Sequence, residues 1–422
     1  MNLANNTVRQ STGNRSLIIV AEKKSLIWWL FRVEYSRIDF FIFYKTVIYA
    51  KGMLMIKNIE ISNFKIIESL KLSSLKRVNV IAGKNGKGKT SILDSIFITN
   101  DIASPDCLIK PIAFRGGSPD LTNNELWLSY FRNFDRKNEI SIKMELENGM
   151  KQETRVSIEN IKSDTSNIGT VSSNVIERNQ ISPRSSYRGD VLKIRKYDRS
   201  QPESLSMKME VTQQISGNQL TSNLVKHGSG IDATATTFIT TSSTINNTNT
   251  ISVLGNLIKN KDTKSIIESM KEINDKILNI ELGVLNQVPE ILFDTGGDKL
   301  VGLSSMGEGV GKLLTILVVS YSTKNGIILI DEIENGIHYS LMPSILKTLV
   351  SQSHRNNNQI FVTTHSSDVV NSIAKLFSSG SVSESDISFT RIGYSEKKKK
   401  SLVNSFTLSE VQISSEGKWE IR

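Results

Sequence analysis

Gly83-Lys84-Asn85-Gly86-Lys87-Gly88-Lys89-Thr90-Ser91 decides how the rest of the chain reads, because it fits the phosphate-cradling pattern G-x-x-x-x-G-K-[ST]. In front of it, Val78-Asn79-Val80-Ile81-Ala82 has the composition of a short buried strand. Behind it, Ser91-Ile92-Leu93-Asp94-Ser95-Ile96-Phe97-Ile98 carries apolar residues at helical spacing. The order strand, glycine loop, helix predicts a nucleotide site. Glycines let successive backbone N–H groups turn inward on the α- and β-phosphates, and the helix N-terminus adds its partial positive charge. In such a loop Lys89 reaches the β- and γ-phosphates and the Thr90 hydroxyl ligates Mg²⁺. The competing reading is a Gly/Lys-rich surface turn, which seldom sits between a buried strand and an amphipathic helix.

Far downstream, Ile327-Ile328-Leu329-Ile330 runs straight into Asp331-Glu332. Four apolar residues suit a central parallel strand, and its C-terminal end is where ligands sit in open α/β sheets. There Asp331 would hold the Mg²⁺ shell, and Glu332 would orient or deprotonate an attacking water. On its own an apolar run before Asp-Glu is equally an ordinary strand end. Between these landmarks lies Leu303-Ser304-Ser305-Met306-Gly307-Glu308-Gly309, followed by helix-like residues from Val310 to Leu317. A Ser-x-Gly-Glu turn opening a helix can offer a hydroxyl, backbone donors and a helix dipole to a phosphate. It is also consistent with a simple helix start capped by Ser304 or Ser305. Finally, Gln359-Ile360-Phe361-Val362-Thr363-Thr364-His365-Ser366 reads as another buried strand ending in a histidine, a position more often structural than catalytic.

The four features in this order resemble the ATP-binding-cassette type of ATPase head found in SMC, RecF and OLD-family proteins, where Walker A, signature, Walker B and His switch follow one another. Ile61-Ser62-Asn63-Phe64-Lys65 resembles the early strand motif of these heads, and Asp331 to His338 resembles their Walker B and D-loop run. Similarity is greatest to compact, OLD-like AAA family ATPases of bacterial defence cassettes. It covers Met53 to Asn138 and Ile266 to Arg422 and is specific at the four motifs. The resemblance implies an α/β fold, an ABC-type P-loop NTPase head with a mixed sheet, helices and an antiparallel β lobe, interrupted by an inserted arm region.

It also implies a mechanism shared between two subunits. The 83–91 loop of one, with Lys89, Thr90 and Ser91, holds ATP and Mg²⁺, and the metal is held by Thr90 and Asp331. Ser305, Gly307 and Glu308 of the other close on the γ-phosphate. Glu332 is then the catalytic base and His365 senses the γ-phosphate, so ATP joins a homodimer or higher oligomer and its hydrolysis releases it. Two departures stand out. Met306 replaces the first glycine of the usual Ser-Gly-Gly signature, and the segment from Ile92 to Met150 contains no Gln to serve as the Q-loop residue.

Composition agrees with an intracellular, cytoplasmic α/β protein. The 422 residues can bury one large core or two modest ones. A single cysteine, Cys107, excludes an intramolecular disulfide framework, and the four histidines, His227, His338, His354 and His365, do not pair at metal-ligand spacing. The formal charge of +10 suits an acidic partner such as DNA, but the basic residues follow no recognised DNA-binding motif. The sharpest cluster, Lys397 to Lys400, lies between the strand-like segments Ile387 to Tyr394 and Leu402 to Phe406. It reads as a solvated hairpin tip, with a DNA-backbone contact as the alternative.

Four regions follow from the pattern. Residues 1–52 are an atypical extension in which charges interrupt every apolar run before the roughly 18 residues a bilayer requires, so no membrane span is expected. Met53 or Met55 looks like an ordinary start for such heads, which leaves a misassigned upstream start or a real docking or membrane-surface segment as the two readings. Residues 53–160 form the N-terminal lobe with Walker A, including a hairpin of Glu139 to Glu147 and Gln152 to Ile158 around Asn148-Gly149. Residues 161–265 are a polar, partly flexible inserted arm rich in Ser, Thr, Asn and Gln. Residues 266–422 are the C-terminal lobe, with a helix expected over Ile258 to Leu278 and strands over Ile280 to Leu285 and Pro289 to Phe293.

The expected function is a dimeric ATP-hydrolysing switch that controls a partner effector, a nuclease or toxin, in bacterial defence. No Asp-x-Asp pair follows His365, so nuclease chemistry would have to come from the partner. The alternative is a DNA repair or recombination ATPase that binds nucleic acid directly.

Overall fold

A computed structural model describes residues 7–11, 16–20, 54–102, 104, 107–117, 125–161, 189–200, 206–216, 219–226, 234–240, 248–271, 274–285, 288–395 and 400–417. Most of the 1–52 extension and most of the Lys397 to Lys400 cluster lie outside the described residues. The fold is an ABC-type P-loop head built on two sheets with the loop-bearing helix between them.

The main sheet carries the site. Its first four strands in chain order are β1 (Val78–Ala82), β2 (Thr236–Ile239), β3 (Ile327–Ile330) and β4 (Gln359–Thr364). β5 (Ile387–Ser395) and β6 (Lys400–Phe406) complete it. Spatially they run β2-β3-β4-β1-β5-β6, parallel except for the last pair. Every residue of β1, β3 and β4 is buried, as expected for parallel strands covered on both faces. Alternate side chains serve two cores. Val78, Val80, Ile328 and Ile330 face a cluster built with helices Glu308–Ser322, Met342–Arg355 and Ser367–Ser378. Ile81, Ile327, Leu329 and Phe361 face the helix after the glycine loop, α1 (Lys89–Asn100), and the second sheet. Asn79, inside β1, is buried without penalty because its amide donates to the carbonyls of Lys76 and Ile360 and accepts from Ser388 Oγ.

The second sheet has seven antiparallel strands, among them Ile56–Phe64, Ile140–Leu146 and Lys151–Ile161. Met144 pairs with Gln152 across the Asn148-Gly149 turn, where Gly149 takes φ 79°. α1 lies against this sheet and is buried all round except at Thr90, so it is a core helix rather than the amphipathic one its spacing suggests.

Two expectations change shape. Within 161–265, strands Gly189–Asp198, Ser206–Ser216 and Gln219–Lys226 extend the antiparallel sheet, and β2 becomes an edge of the main sheet. The described part of the expected arm is therefore added to the head's own sheets. Its polar composition reflects a sheet with one wetted face: Leu192 and Ile194 are buried, while Lys193 and Arg195 on the other face pair with Glu159 and Glu210. The helix expected over 258–278 is two helices, α2 (Thr248–Lys259) and α3 (Lys264–Lys271), parted by a turn where Lys261 adopts φ 59°. Strands Asn279–Leu285 and Val288–Asp294 follow as a hairpin, joined by Val301–Gly302 into a third, three-stranded sheet. Among the described residues no helix is long and apolar enough to cross a membrane.

Candidate functional site

Three neighbouring parallel strands, β3, β4 and β1, end at the same rim, so the glycine loop, Asp331-Glu332 and His365 meet at their C-terminal ends. The loop is shaped by glycines at positions a side chain would not tolerate. Gly88 adopts φ 93° as N-cap of α1, and a Cβ on Gly83 would stand 2.4 Å from the Ile392 carbonyl oxygen. No side chain caps α1, so the helix start keeps its N–H groups for an external acceptor. Lys84, Asn85 and Gly86 form the exposed crest of the loop, and Lys87 lies with its ammonium 5.1 Å from the centre of the Tyr394 ring. Ser91 is buried in the first turn of the helix.

Lys89 is folded back into the loop. Its Nζ donates to Gly83 O at 2.6 Å and Lys84 O at 3.1 Å. Burial pushes this ammonium below the ordinary lysine range, while Glu332, Glu334 and Asp331 pull it back. An incoming phosphate would supply the counter-charge that two carbonyls only partly provide.

Thr90 and Asp331 meet directly, with Oγ1 donating to Oδ1 at 3.2 Å, and Thr363 Oγ1 donates to the same carboxylate oxygen at 2.6 Å. This all-oxygen donor set suits a hard divalent cation, so Thr90 and Asp331 fit the expected Mg²⁺. Glu332 sits at φ 48°, a left-handed conformation rare for a residue with a side chain. It is held there by its N–H donating to Thr363 Oγ1, at 2.8 Å, and by Lys312 Nζ donating to its carbonyl at 2.7 Å. Its carboxylate accepts from Asn335 Nδ2 at 2.7 Å. A strained backbone locked from both sides is a common device for fixing a functional side chain. His365 takes part through Glu334: Nδ1 lies 2.9 Å from Glu334 Oε1, which also accepts from the His365 N–H, and the ring remains 41% exposed.

The signature turn is built differently. Leu303–Ser305 is a single 3₁₀ turn, Gly307 at φ 88° is the N-cap of the helix that begins at Glu308, and no side chain caps it. Neither serine is the cap. Ser304 Oγ instead donates to Glu290 Oε1 at 3.0 Å, and Ser305 and Gly307 are exposed. Met306 is half-buried against the main core, which accounts for an apolar residue where glycine is usual. The signature helix also packs tightly on the turn after Glu332: a Cβ on Gly309 would stand 2.4 Å from Gly336 O. The structure therefore brings Lys89, Thr90, Asp331, Glu332 and His365 to one rim, and leaves Ser305 and Gly307 facing solvent without a bond to that rim among the described residues.

Sequence reasoning missed several members. Arg115 donates to Asp94 Oδ1 at 2.7 Å and lies 3.7 Å from Asp331 Oδ2, with its guanidinium 5.1 Å from the Phe238 ring centre. Asp94, fully buried on α1, is neutralised jointly by Arg115 and Lys65. No local pattern marks Arg115, since only tertiary folding sets its loop against Asp331. Thr363 and Glu334 carried a weak signal, because each lies within two residues of a residue already singled out.

A family model described as "AAA domain, putative AbiEii toxin, Type IV TA system" matches residues 78–371. The chain is 25% identical over 334 residues to an "ATP/GTP phosphatase" of Helicobacter pylori (strain ATCC 700392 / 26695), an alignment covering 75% of this chain and 86% of that protein. Among solved structures it is similar to an SMC head bound to the C-winged helix domain of ScpA, at 14% identity and TM-score 0.43, over 85% of this chain and 99% of that one. It is also similar to the SMC head domain from Thermotoga maritima, at 14% identity and TM-score 0.37, over 83% and 98% of the two chains.

Proposed function

We propose, from the premise that the chain belongs to the AAA-domain family whose model spans most of it, that it binds and hydrolyses ATP as a dimeric switch controlling a partner effector. One observation carries the nucleotide reading: Thr90, Asp331 and Thr363 share one carboxylate oxygen, near a lysine that among the described residues donates to its own loop carbonyls alone.

In this reading the β- and γ-phosphates enter the 83–91 cradle and take over the donors of Lys89. Thr90 and Asp331 would hold Mg²⁺, which would supply charge neutralisation to the phosphates. Glu332 turns from Asn335 to orient a water and takes its proton as the water oxygen bonds to the γ-phosphorus. The bond to the β,γ-bridging oxygen breaks and its electron pair leaves with ADP. His365, held by Glu334, positions the γ-phosphate. Ser305, Gly307 and Glu308 of a second copy cover it. The exposure of Ser305 and Gly307, with an uncapped helix start behind them, favours this role in trans.

The family description includes a toxin of a toxin–antitoxin system and the Helicobacter pylori relative is called an ATP/GTP phosphatase. The relative's name favours an NTPase, and the family description favours a defence setting with a nuclease or toxin as the controlled effector. The formal charge of +10 favours a second reading, direct DNA binding in repair or recombination. The decisive experiment isolates the native complex carrying Glu332→Gln. Trapped ATP in a dimer with a co-purifying protein supports the switch. A nucleotide-free monomer would overturn it, and hydrolysis by the unsubstituted chain that DNA alone stimulates, in a salt-sensitive way, would favour the second reading.

A further inference from the structure

The hairpin just before the signature has a free side. Strand Asn279–Leu285 pairs only with Val288–Asp294 and is the outer strand of its three-stranded sheet among the described residues. Such an edge presents unpaired backbone N–H and C=O groups, which proteins usually blunt or cover. Here the edge borders a groove of about 700 Å³, whose opposite wall is α3 with the end of α2.

The groove has a distinct chemistry. Lys264, Ile267 and Lys271 recur at the spacing of one helical face and line one wall together with Lys261. Among the described residues none of the three lysines is recorded in an ion pair. On the strand side, Ile280, Leu282 and Val284 share one face of the pleat, and their exposure climbs from 2% through 38% to 73% toward the hairpin tip. An apolar face thus leaves the core and runs out uncovered, and Val288 beyond it is 59% exposed.

We propose that this groove receives an extended segment of a partner protein carrying acidic and apolar side chains, which adds as a fourth strand to the Asn279–Leu285 edge. The backbone supplies the pairing groups, the lysine wall selects acidic side chains, and Leu282 and Val284 receive apolar ones. A nucleic acid fits less well, because it carries no row of peptide N–H and C=O groups to pair with the strand edge. The position also suits control. The strand paired with this edge carries Glu290, which accepts from Ser304 in the signature turn. The inference rests on the proposed switch only for its consequence; binding at the groove does not require nucleotide.

The test uses the full chain and fluorescence anisotropy with three labelled octapeptides. One alternates valine and glutamate, one alternates valine and lysine, and the third is the glutamate peptide N-methylated on alternate amides along one edge. The expected result is saturable binding of the first and at least about tenfold weaker binding of the other two. Lys264→Glu with Lys271→Glu, shown folded by circular dichroism, weakens the glutamate peptide by a similar factor, whereas Lys89→Ala leaves it unchanged. Failure of the nucleotide reading would instead appear as intact peptide binding in a chain that never hydrolyses ATP. The proposal is overturned if no peptide binds, if the lysine peptide binds as well, or if N-methylation has no effect. It is likewise overturned if a labelled oligothymidylate occupies the groove in a way those lysine substitutions abolish, or if Leu282→Asp dissolves a dimer formed through this edge.

Discussion

Helices Lys89–Asn100 and Glu308–Ser322 begin alike. Each follows a glycine at positive φ, Gly88 at 93° and Gly307 at 88°, and neither start has a side-chain cap. Around the first start the chain has gathered a lysine, two hydroxyls and a carboxylate, each bonded to another part of the same rim. Around the second, Ser305 and Gly307 face solvent, and Ser304 is turned away to Glu290. An uncapped helix start is a general anion site, so the surroundings decide its use. The first is enclosed by its own chain; the second is open to solvent, as the trans role proposed for it requires.

The largest effects should come from the enclosed start. Glu332→Gln should lower ATP turnover by about 10²- to 10⁴-fold, the range typical of a positioned proton acceptor, while nucleotide binding persists. Retained turnover would show that the water is activated elsewhere on the rim. Next, Ser305→Arg should abolish turnover while monomer nucleotide affinity, measured by calorimetry, stays within about threefold of the parent, or about 0.7 kcal/mol. Mixing this variant with Lys89→Ala should restore part of the activity, because a mixed dimer pairs one intact loop with one intact signature. Without restoration, the two starts do not meet across subunits.

The enclosed helix is also anchored at its far end by a buried cation, where the signature helix has the neutral amides of Asn356 and Asn358 on Ser320 O. Lys196, fully buried on strand Gly189–Asp198, donates to Thr99 O at 3.1 Å, and burial lowers its ammonium to a pKa of about 8. Its folded pKa lies below its unfolded one, so the unfolded chain binds the extra proton between those values and stability rises with pH across that window. Below about pH 8 the cost of the buried charge is fully present. Lys196→Met should therefore stabilise the protein near neutral pH by about 2 kcal/mol, allowing for the lost bond, and the gain should shrink as pH rises toward the ordinary lysine value. Urea denaturation at neutral and alkaline pH measures both. An unchanged difference at the two pH values would mean that Lys196 titrates normally.

The contrast between the two starts was readable in part from sequence. Continuous apolar runs such as Ile327 to Ile330 identify strands buried on both faces, and loops that follow such strands identify the rim. The glycine loop and Asp331-Glu332 are legible because their chemistry is local. Arg115 and Asp94 are not, because nothing local relates a charge on the helix to one in a distant loop until the fold sets Arg115 against both Asp94 and Asp331. The strands of 189–226 are hidden for another reason: alternation with polar residues on a wetted face resembles a polar linker. The split between α2 and α3 turns on Lys261 at φ 59°, a backbone state that lysine composition does not announce.

The smallest expected effect tests how firmly the open start is attached to its own chain. Gly309, in the first turn of the signature helix, approaches the turn after Glu332 so closely that a Cβ would meet Gly336 O at 2.4 Å. Backbone cannot rotate away as a side chain can, so Gly309→Ala must separate the helix from that turn, at a cost of about 1 to 3 kcal/mol. The melting temperature should fall by several degrees, and turnover should fall because Asn335 and Glu332 belong to the displaced turn. If stability falls while turnover is unchanged, the signature helix and the Glu332 turn are packed together without being coupled. If both fall together, the open start reports on the closed one through this contact even before a second subunit arrives.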